Sequence, residues 1–425
     1  MTERIIRSLT VEDLPAHTEI YLHAYPANKS MSKECYNKYY NRNLQSLQEY
    51  EHVNFYGLFE DGVLIGIMKL IDFDINLFGE MKKSTGLMSL GVHPLHKKKG
   101  AAKEMMKFFE KYTVESGGLV SMLLPFRIDY YRKMGYGYGT KLDEYRIPTL
   151  QLPKHKDLSK LRFIKKDELN KVLLCHSDFV KKYHGAVQKF EEEIRDMVND
   201  EETRHIGYFE GEELKGYAAF DFVSESQVNY TLNRIEVTEL IYSDGEVLRA
   251  LLGGLRMQSD LAQNLVIRTG EADFYHLLDS PQDISGNYIN YGFIQTNLSA
   301  VGNMYKIPDV KNFIENTQNR KFPLDNLKIG FSLNNEFKAT TERFSISFIR
   351  DNNEKYSNWS YSEDLKDADV EIKCNLADLS SLLMGSADMA PLVRMGVVSL
   401  SHENETDRLD RLFHYNQRPF TNTDY

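Results

Sequence analysis

The sequence predicts a mixed α/β protein, of the α+β kind, organised as three consecutive domains. Three observations carry this. The chain has 425 residues, and at roughly 150 residues per domain that makes two or three. Residues 1–148 read as two helices, a hairpin, a central strand, a helix and a strand; residues 149–302 repeat that order in degenerate form, with no repeat visible at residue level. Residues 303–425 change character, to short strand candidates and one strongly apolar helix. Hydrophobic residues are 42% and charged residues 27%, a globular composition that excludes a disordered or fibrous chain.

In the first block, Thr10 followed three residues on by Asp13 reads as a helix N-terminus with a capping-box-like pair. A second helix is expected over residues 33–49. HVNFYGLFE and VLIGIMKLIDF flank Asp61-Gly62, two residues that tolerate positive φ, which predicts a hairpin. GLMSLGV, residues 86–92, reads as a third strand running into the loop HPLHKKKG. Ala101, Met105, Phe108, Phe109 and Tyr112 recur on one helical face. GGLVSMLLPF is a strand after a Gly-Gly break, and a short helix holding Tyr130 and Tyr131 ends near Gly135.

The second block opens with the connector IPTLQLPKHKD. Helices are expected at 166–184, 190–199 and 245–261, with strands near 203–210, 215–223 and 229–242 and a last one at LVIRTG. In the third block KIGFSLN, RFSISFIR and VEIKCN read as strands. A helix follows from Asn375, with Leu376, Leu379, Leu382 and Leu383 on one side and Gly385 at its end. The terminal segment is rich in aromatics. A disposable tail is small and polar, so Phe413, Tyr415, Phe420 and Tyr425 predict that this segment packs.

Lys and Arg number 52 against 62 Asp and Glu, a net charge of −10. That argues against nonspecific nucleic-acid binding and suits a cationic small-molecule partner. Cys35, Cys175 and Cys374 lie far apart, neither a disulfide framework nor a CxxC site, so a reducing cytoplasm is expected. The opening MTERIIRSLT lacks the apolar core of a secretory signal. No stretch approaches the ~20 apolar residues of a membrane span, and no membrane partner is expected. None of the 12 histidines forms HExxH. His93 and His96 form HxxH beside Pro94 in a loop, and no metal is expected.

Two segments carry chemistry. In Leu90-Gly91-Val92-His93-Pro94-Leu95-His96-Lys97-Lys98-Lys99-Gly100-Ala101-Ala102 a strand leads through a basic loop into a helix. The loop amides and the helix N-terminus form an anion cradle. Gly100 permits close backbone approach, Ala102 keeps the first turn narrow, and Lys97 to Lys99 bring positive charge to where a pyrophosphate would lie. Alone, KKKG is more often a solvated charge run before an ordinary helix. The other segment is Pro125-Phe126-Arg127-Ile128-Asp129-Tyr130-Tyr131-Arg132-Lys133-Met134-Gly135-Tyr136-Gly137, one strand later. Alone, its tyrosines are packing residues more often than catalysts.

Together, strand, Q/R-x-x-G-x-G/A, helix, strand and Y-Y-x-x-x-G-Y/F resemble the GNAT N-acetyltransferase superfamily. Lys97 stands where that pattern has Gln or Arg, and an ammonium lacks the fork of a guanidinium. The whole chain resembles the Eis (enhanced intracellular survival) family: two tandem GNAT folds, the second degenerate, then a sterol-carrier-like α+β domain. Asp244-Gly245-Glu246-Val247 occupies the place of a cofactor loop in the second block without basic residues, so that block is expected to be noncatalytic.

The resemblance implies acetyl-CoA as co-substrate, on Leu90, Gly91, Val92, Lys97, Lys98, Lys99, Gly100, Ala101, Ala102, Lys103 and Phe126. It implies direct acetyl transfer to an amine, with the Val92 N–H meeting the oxyanion. Tyr131, in register with Y-x-x-x-G-Y-G, is then the general acid, with Tyr130 its rival. The main-chain carboxylate of Tyr425 is the general base, and Asp424 contacts a cationic amine. The family acetylates aminoglycosides and forms hexamers. Alternatives are acetylation of protein lysines or α-amines, and a lipid carrier built on the third block.

Overall fold

The computed structural model describes residues 3–26, 30–350 and 355–420. The chain divides into two units that do not follow chain order. One takes in the chain up to Tyr138 and again Asn303–Asn416; the other takes in Gly139–Gly302 and the segment from Gln417.

The first unit holds a seven-stranded sheet in the order Arg4–Ser8, Val53–Glu60, Val63–Leu77, Glu80–Val92, Ser121–Leu123, Met304–Lys306, Gly137–Tyr138. Its one parallel pairing sets Thr85–Leu87 against Ser121–Leu123. The Asp61-Gly62 hairpin forms with φ of 47° and 81°. A second hairpin turns on Phe78 and Gly79, φ 58° and 93°. It carries the strand expected from residue 86 back to Glu80, through a polar stretch that is exposed or half-buried over Glu80–Lys83 and buried at Ser84 and Thr85. Arg4–Ser8, for which no element was expected, is an edge strand with no fully buried residue. The expected first helix forms at Leu14–Ala24 after a short 3-10 turn, and Asp13 accepts from the Thr10 N–H at 2.9 Å. Helices Lys33–Glu49 and Ala101–Glu115 lie where the pattern put them.

The third block completes this sheet. Met304–Lys306 pairs on both sides, with Ser121–Leu123 and with Gly137–Tyr138. The Lys306 ammonium, fully buried, donates to the Glu110 carboxylate and to the Met134 carbonyl. Helix Leu376–Leu383, capped at Asn375 as expected, has every residue buried. It seats on Gly137, where an added Cβ would lie 2.2 Å from the Ala377 carbonyl oxygen, and the Ser381 hydroxyl donates to the Tyr138 carbonyl at 2.8 Å. Leu376, Leu379, Leu382 and Leu383 are core. A five-stranded sheet, Asn358–Ser362, Thr340–Ile349, Leu327–Asn335, Val370–Asn375, Ser399–Leu400, makes up the rest. Phe413 is buried, and Tyr415 meets Phe78 edge-on at 5.0 Å, so this part of the terminal segment packs.

The second unit has its own seven-stranded sheet: Leu298–Val301, Lys141–Pro148, Asn264–Thr269, Asn233–Tyr242, Glu213–Ser224, Arg204–Glu210, Leu161–Phe163. Lys141–Pro148, which the sequence put at the end of the first block, is hydrogen-bonded here against Asn264–Thr269. Its alternating buried face belongs to this core. Phe420 packs in this unit against Phe179 and Tyr183, both ring centroids at 5.6 Å. Asp424 and Tyr425 lie outside the described residues.

Candidate active site

The site begins with a fault in a strand. Across the pair Val63–Leu77 and Glu80–Val92, Lys69 faces Met88 but Ile67 faces Gly91. The second strand therefore carries one extra residue, a β-bulge. Ser89 absorbs it with a φ of 56°. Beyond the bulge the His93 N–H donates to the Ile65 carbonyl at 2.8 Å. Antiparallel ladders alternate, so Gly91 bonds toward Val63–Leu77 while the Val92 N–H and the Leu90 C=O point away from it. On that side the parallel partner pairs only with Thr85–Leu87. The strands splay, and among the described residues the edge of Leu90–Val92 has no strand partner there; the Leu90 carbonyl accepts from the Tyr25 hydroxyl at 2.8 Å and the Val92 N–H is left open.

The loop that follows is shaped to hold an anion. After the turn Pro94–His96, Lys98 takes φ 64° and Gly100 φ 84°. Gly100 is the N-cap of helix Ala101–Glu115, and no side chain caps it. An added Cβ at Gly100 would meet nothing within 4 Å, so the space above the first amides is open. The helix dipole and these N–H groups favour negative charge there.

Edge and loop face one cavity of about 580 Å³, lined by Ala24, Tyr25, Leu90, Gly91, Val92, Lys97, Lys98, Gly100, Ala101, Ala102, Lys103, Phe126, Arg127 and Tyr130. Nearly all the sequence-predicted binding residues meet here. Lys99 does not line it; its carbonyl accepts from Arg4 Nη1 at 3.1 Å on the other side of the loop. Among the described lining residues the charges are all positive, which suits a phosphorylated ligand and marks this as the coenzyme side.

Tyr131 is 3% exposed and stands behind the wall. Its ring meets Phe126 edge-on at 5.7 Å and Tyr130 at 5.4 Å. Burial, with the Tyr25 hydroxyl adding, raises its pKa well above the ordinary phenol value, so it holds its proton at neutral pH. Tyr130, on the wall itself, is half-buried, and burial raises its pKa as well. Gly135, φ 90°, ends the short helix Ile128–Arg132 and its turn against Leu376.

Residues 5–139 match a model described as an acetyltransferase (GNAT) domain, and residues 185–293 match a second model of that description. The chain carries two GNAT acetyltransferase domains. Residues 310–422 match a sterol carrier protein domain. A comparison with curated proteins finds no match. Solved structures share the fold over the whole chain. A conserved protein from Enterococcus faecalis V583 has 16% identity, covers 100% of both chains and gives a TM-score of 0.78. A GCN5-related N-acetyltransferase from Kribbella flavida has 14% identity, covers 100% of this chain and 99% of its own, and gives 0.74. Eis1 from Mycobacterium abscessus has 17% identity, covers 100% of both chains and gives 0.75.

The second GNAT domain shows what a filled cradle looks like. Where the first has Gly100, it has Asp244, whose carboxylate accepts from the Glu246 and Val247 N–H groups at 2.9 and 3.1 Å. A side-chain anion already sits at that helix N-terminus. On the strand before it, Glu239 is buried and bonded to Lys189 and to the Tyr217 hydroxyl, each at 2.7 Å. The first GNAT domain has a backbone edge without a strand partner at Leu90–Val92. Sequence reasoning missed Ala24, Tyr25 and Arg127 as wall residues of the first domain. Arg127 lay inside the quoted motif. Ala24 and Tyr25 end a helix some 65 residues upstream of Leu90, and no local spacing signals that approach.

GNAT acetyltransferases use acetyl-CoA, and the residues present fit it: an open backbone edge for its amides, an uncapped helix start and three lysines for its phosphates. Among the described residues no group of three or more His, Cys, Asp and Glu side chains is placed to hold a metal, and no helix is long and apolar enough to cross a membrane.

Proposed function

We propose that this acetyltransferase belongs with the Eis family and transfers acetyl from acetyl-CoA to amines of cationic, polyamine-like small molecules, aminoglycosides among them. One observation carries the reading: the open edge at Val92, the uncapped helix start at Gly100 and the lysines 97, 98 and 103 converge on a single cavity. The net charge of −10 favours a cationic acceptor reaching the protein.

The neutral amine attacks the thioester carbonyl, the C–N bond forms as the C–S bond breaks, the nitrogen sheds its extra proton, which through solvent restores the proton donor, and the sulfur leaves as a thiolate that must gain a proton. The Val92 N–H meets the charge that builds on the carbonyl oxygen. Tyr131 supplies the proton to sulfur in this reading; burial keeps its phenol protonated, so the proton is present to give, and a developing thiolate charge beside it must drive the transfer. An amine of pKa ~10.4 must first lose a proton, and the base in this reading is the main-chain carboxylate of Tyr425, with Asp424 beside the cationic amine. We extend the resemblance to assembly as a homo-hexamer, which light scattering would measure.

The test is thiol release from acetyl-CoA against a panel of polyamines, aminoglycosides and peptides. Release with the small polyamines is expected. Release with peptides alone would move the acceptor to protein amines, and none at all would overturn the reading. Tyr131→Phe should lower kcat with little change in acetyl-CoA affinity. If Tyr130→Phe does so instead, the donor is the wall residue. One residue appended after Tyr425 should cripple transfer, and full activity would remove the terminal carboxylate.

A further inference from the structure

Tyr25 belongs to no motif, yet its hydroxyl touches the backbone that this chemistry uses. It donates to the Leu90 carbonyl oxygen at 2.8 Å. That carbonyl and the Gly91 N–H are one peptide unit, the one at which the ladder resumes past the bulge at Ser89. The contact depends on a close approach between chain segments. An added Cβ at Gly91 would lie 3.1 Å from the Ala24 Cβ and 3.2 Å from Ile67, so glycine there lets the end of helix Leu14–Ala24 come down onto the strand without being pushed back. The Tyr25 ring is held from behind. It packs on Tyr21 at 5.1 Å, and Tyr21 packs on Tyr39, on the next helix, at 5.3 Å. Burial raises the hydroxyl's pKa to about 12, so it stays a donor across the working range of pH.

We propose that Tyr25 is a positioning residue for acetyl transfer: by holding the Leu90 carbonyl it fixes the bulged peptide, and with it the direction in which the next unpaired amide, that of Val92, points into the cavity. This rests on the reading of the site as an acetyltransferase centre in which that amide meets the oxyanion. A non-glycine residue at φ 56° sits in a sparsely populated region and persists because its surroundings hold it; the Tyr25 hydroxyl is one such hold. An amide that turns away from the oxyanion loses stabilisation in the transition state, while binding of the ground state is little altered.

The experiment is steady-state kinetics of Tyr25→Phe, which keeps the ring and its packing and removes only the hydroxyl. The expected result is a fall in kcat of about tenfold or more, with the KM of the amine and the calorimetric Kd of acetyl-CoA within about twofold of wild type. Gly91→Ala, which pushes Ala24 and hence Tyr25 off the strand, should lower kcat likewise. The double variant should be no worse than the poorer single one, because both break the same hold. Unchanged kcat in Tyr25→Phe overturns the proposal, as does a loss that appears only as weaker acetyl-CoA binding. A wild-type protein that transfers acetyl to nothing overturns the functional reading instead, so the two failures are distinct.

Discussion

Lys69 projects from strand Val63–Leu77 into the core, where its ammonium donates to Asn43 Oδ1 at 2.7 Å and lies 4.6 Å from the Phe55 ring centroid. Burial, with the Arg42 charge adding, lowers its pKa to about 8. The unfolded chain keeps that proton to about 10.5, so between pH 8 and 10.5 the unfolded state binds more protons and stability rises with pH. Below pH 8 the cost of burying the charge is fully present. Lys69→Met should therefore raise the melting temperature at pH 7 by roughly 2–4 °C, and calorimetry should find the gain shrinking above pH 8. His17, lowered by burial to about 3, acts at the other end, costing stability as pH falls from 6.5 toward 3. Neither was legible beforehand: GIMKLIDF reads as an apolar strand with a stray lysine, and nothing in it shows that helices cover the side chain. Lys97 to Gly100 were legible because a strand, a basic loop and a helix start are contiguous. Tyr25 was not, because its partner arrives from the far end of the domain.

At the scale of elements, two helix starts differ by one side chain. Gly100 leaves the amides of Ala101–Glu115 open; Asp244 closes those of Gly245–Arg256. Asp244→Ala should cost about 1 kcal/mol of stability in urea titrations without creating acetyl-CoA binding, since the loop itself carries no lysine and the one beside it, Lys182, is bonded to the Ser243 carbonyl. Gly100→Ala should weaken acetyl-CoA by about tenfold or more, measured calorimetrically, because a Cβ at φ 84° strains the loop that carries the cradle. The short strand Met304–Lys306 ties to helix Ala101–Glu115 through Lys306 and Glu110. Desolvation pushes the Glu110 pKa up and that of Lys306 down, and their attraction opposes both shifts. Glu110→Leu, leaving the cation unpaired, should cost about 3–5 kcal/mol, and the double change with Lys306→Met should recover most of it. Period and turn chemistry revealed the hairpin at Asp61-Gly62 and the helix from Asn375. They could not reveal Met304–Lys306, three residues whose burial is decided by strands far away in sequence.

For the whole molecule, the order of domains in sequence is not the order of packing. The composition shift near residue 303 was legible, and it does mark where the chain leaves one unit and enters another. Hidden was that the chain re-enters the unit it left at Tyr138, because sheet completion by a distant strand leaves no local periodicity. A chain truncated after residue 302 lacks the strand between Ser121–Leu123 and Gly137–Tyr138 and the buried helix Leu376–Leu383. It should lose cooperative urea unfolding in its first domain and give no heat with acetyl-CoA. The same arrangement sets a schedule during synthesis. Ser121–Leu123 leaves the ribosome about 180 residues before its neighbour Met304–Lys306. At roughly 5–20 residues per second, the nascent sheet waits on the order of 10–40 s with an unpaired edge until Met304–Lys306 has been made.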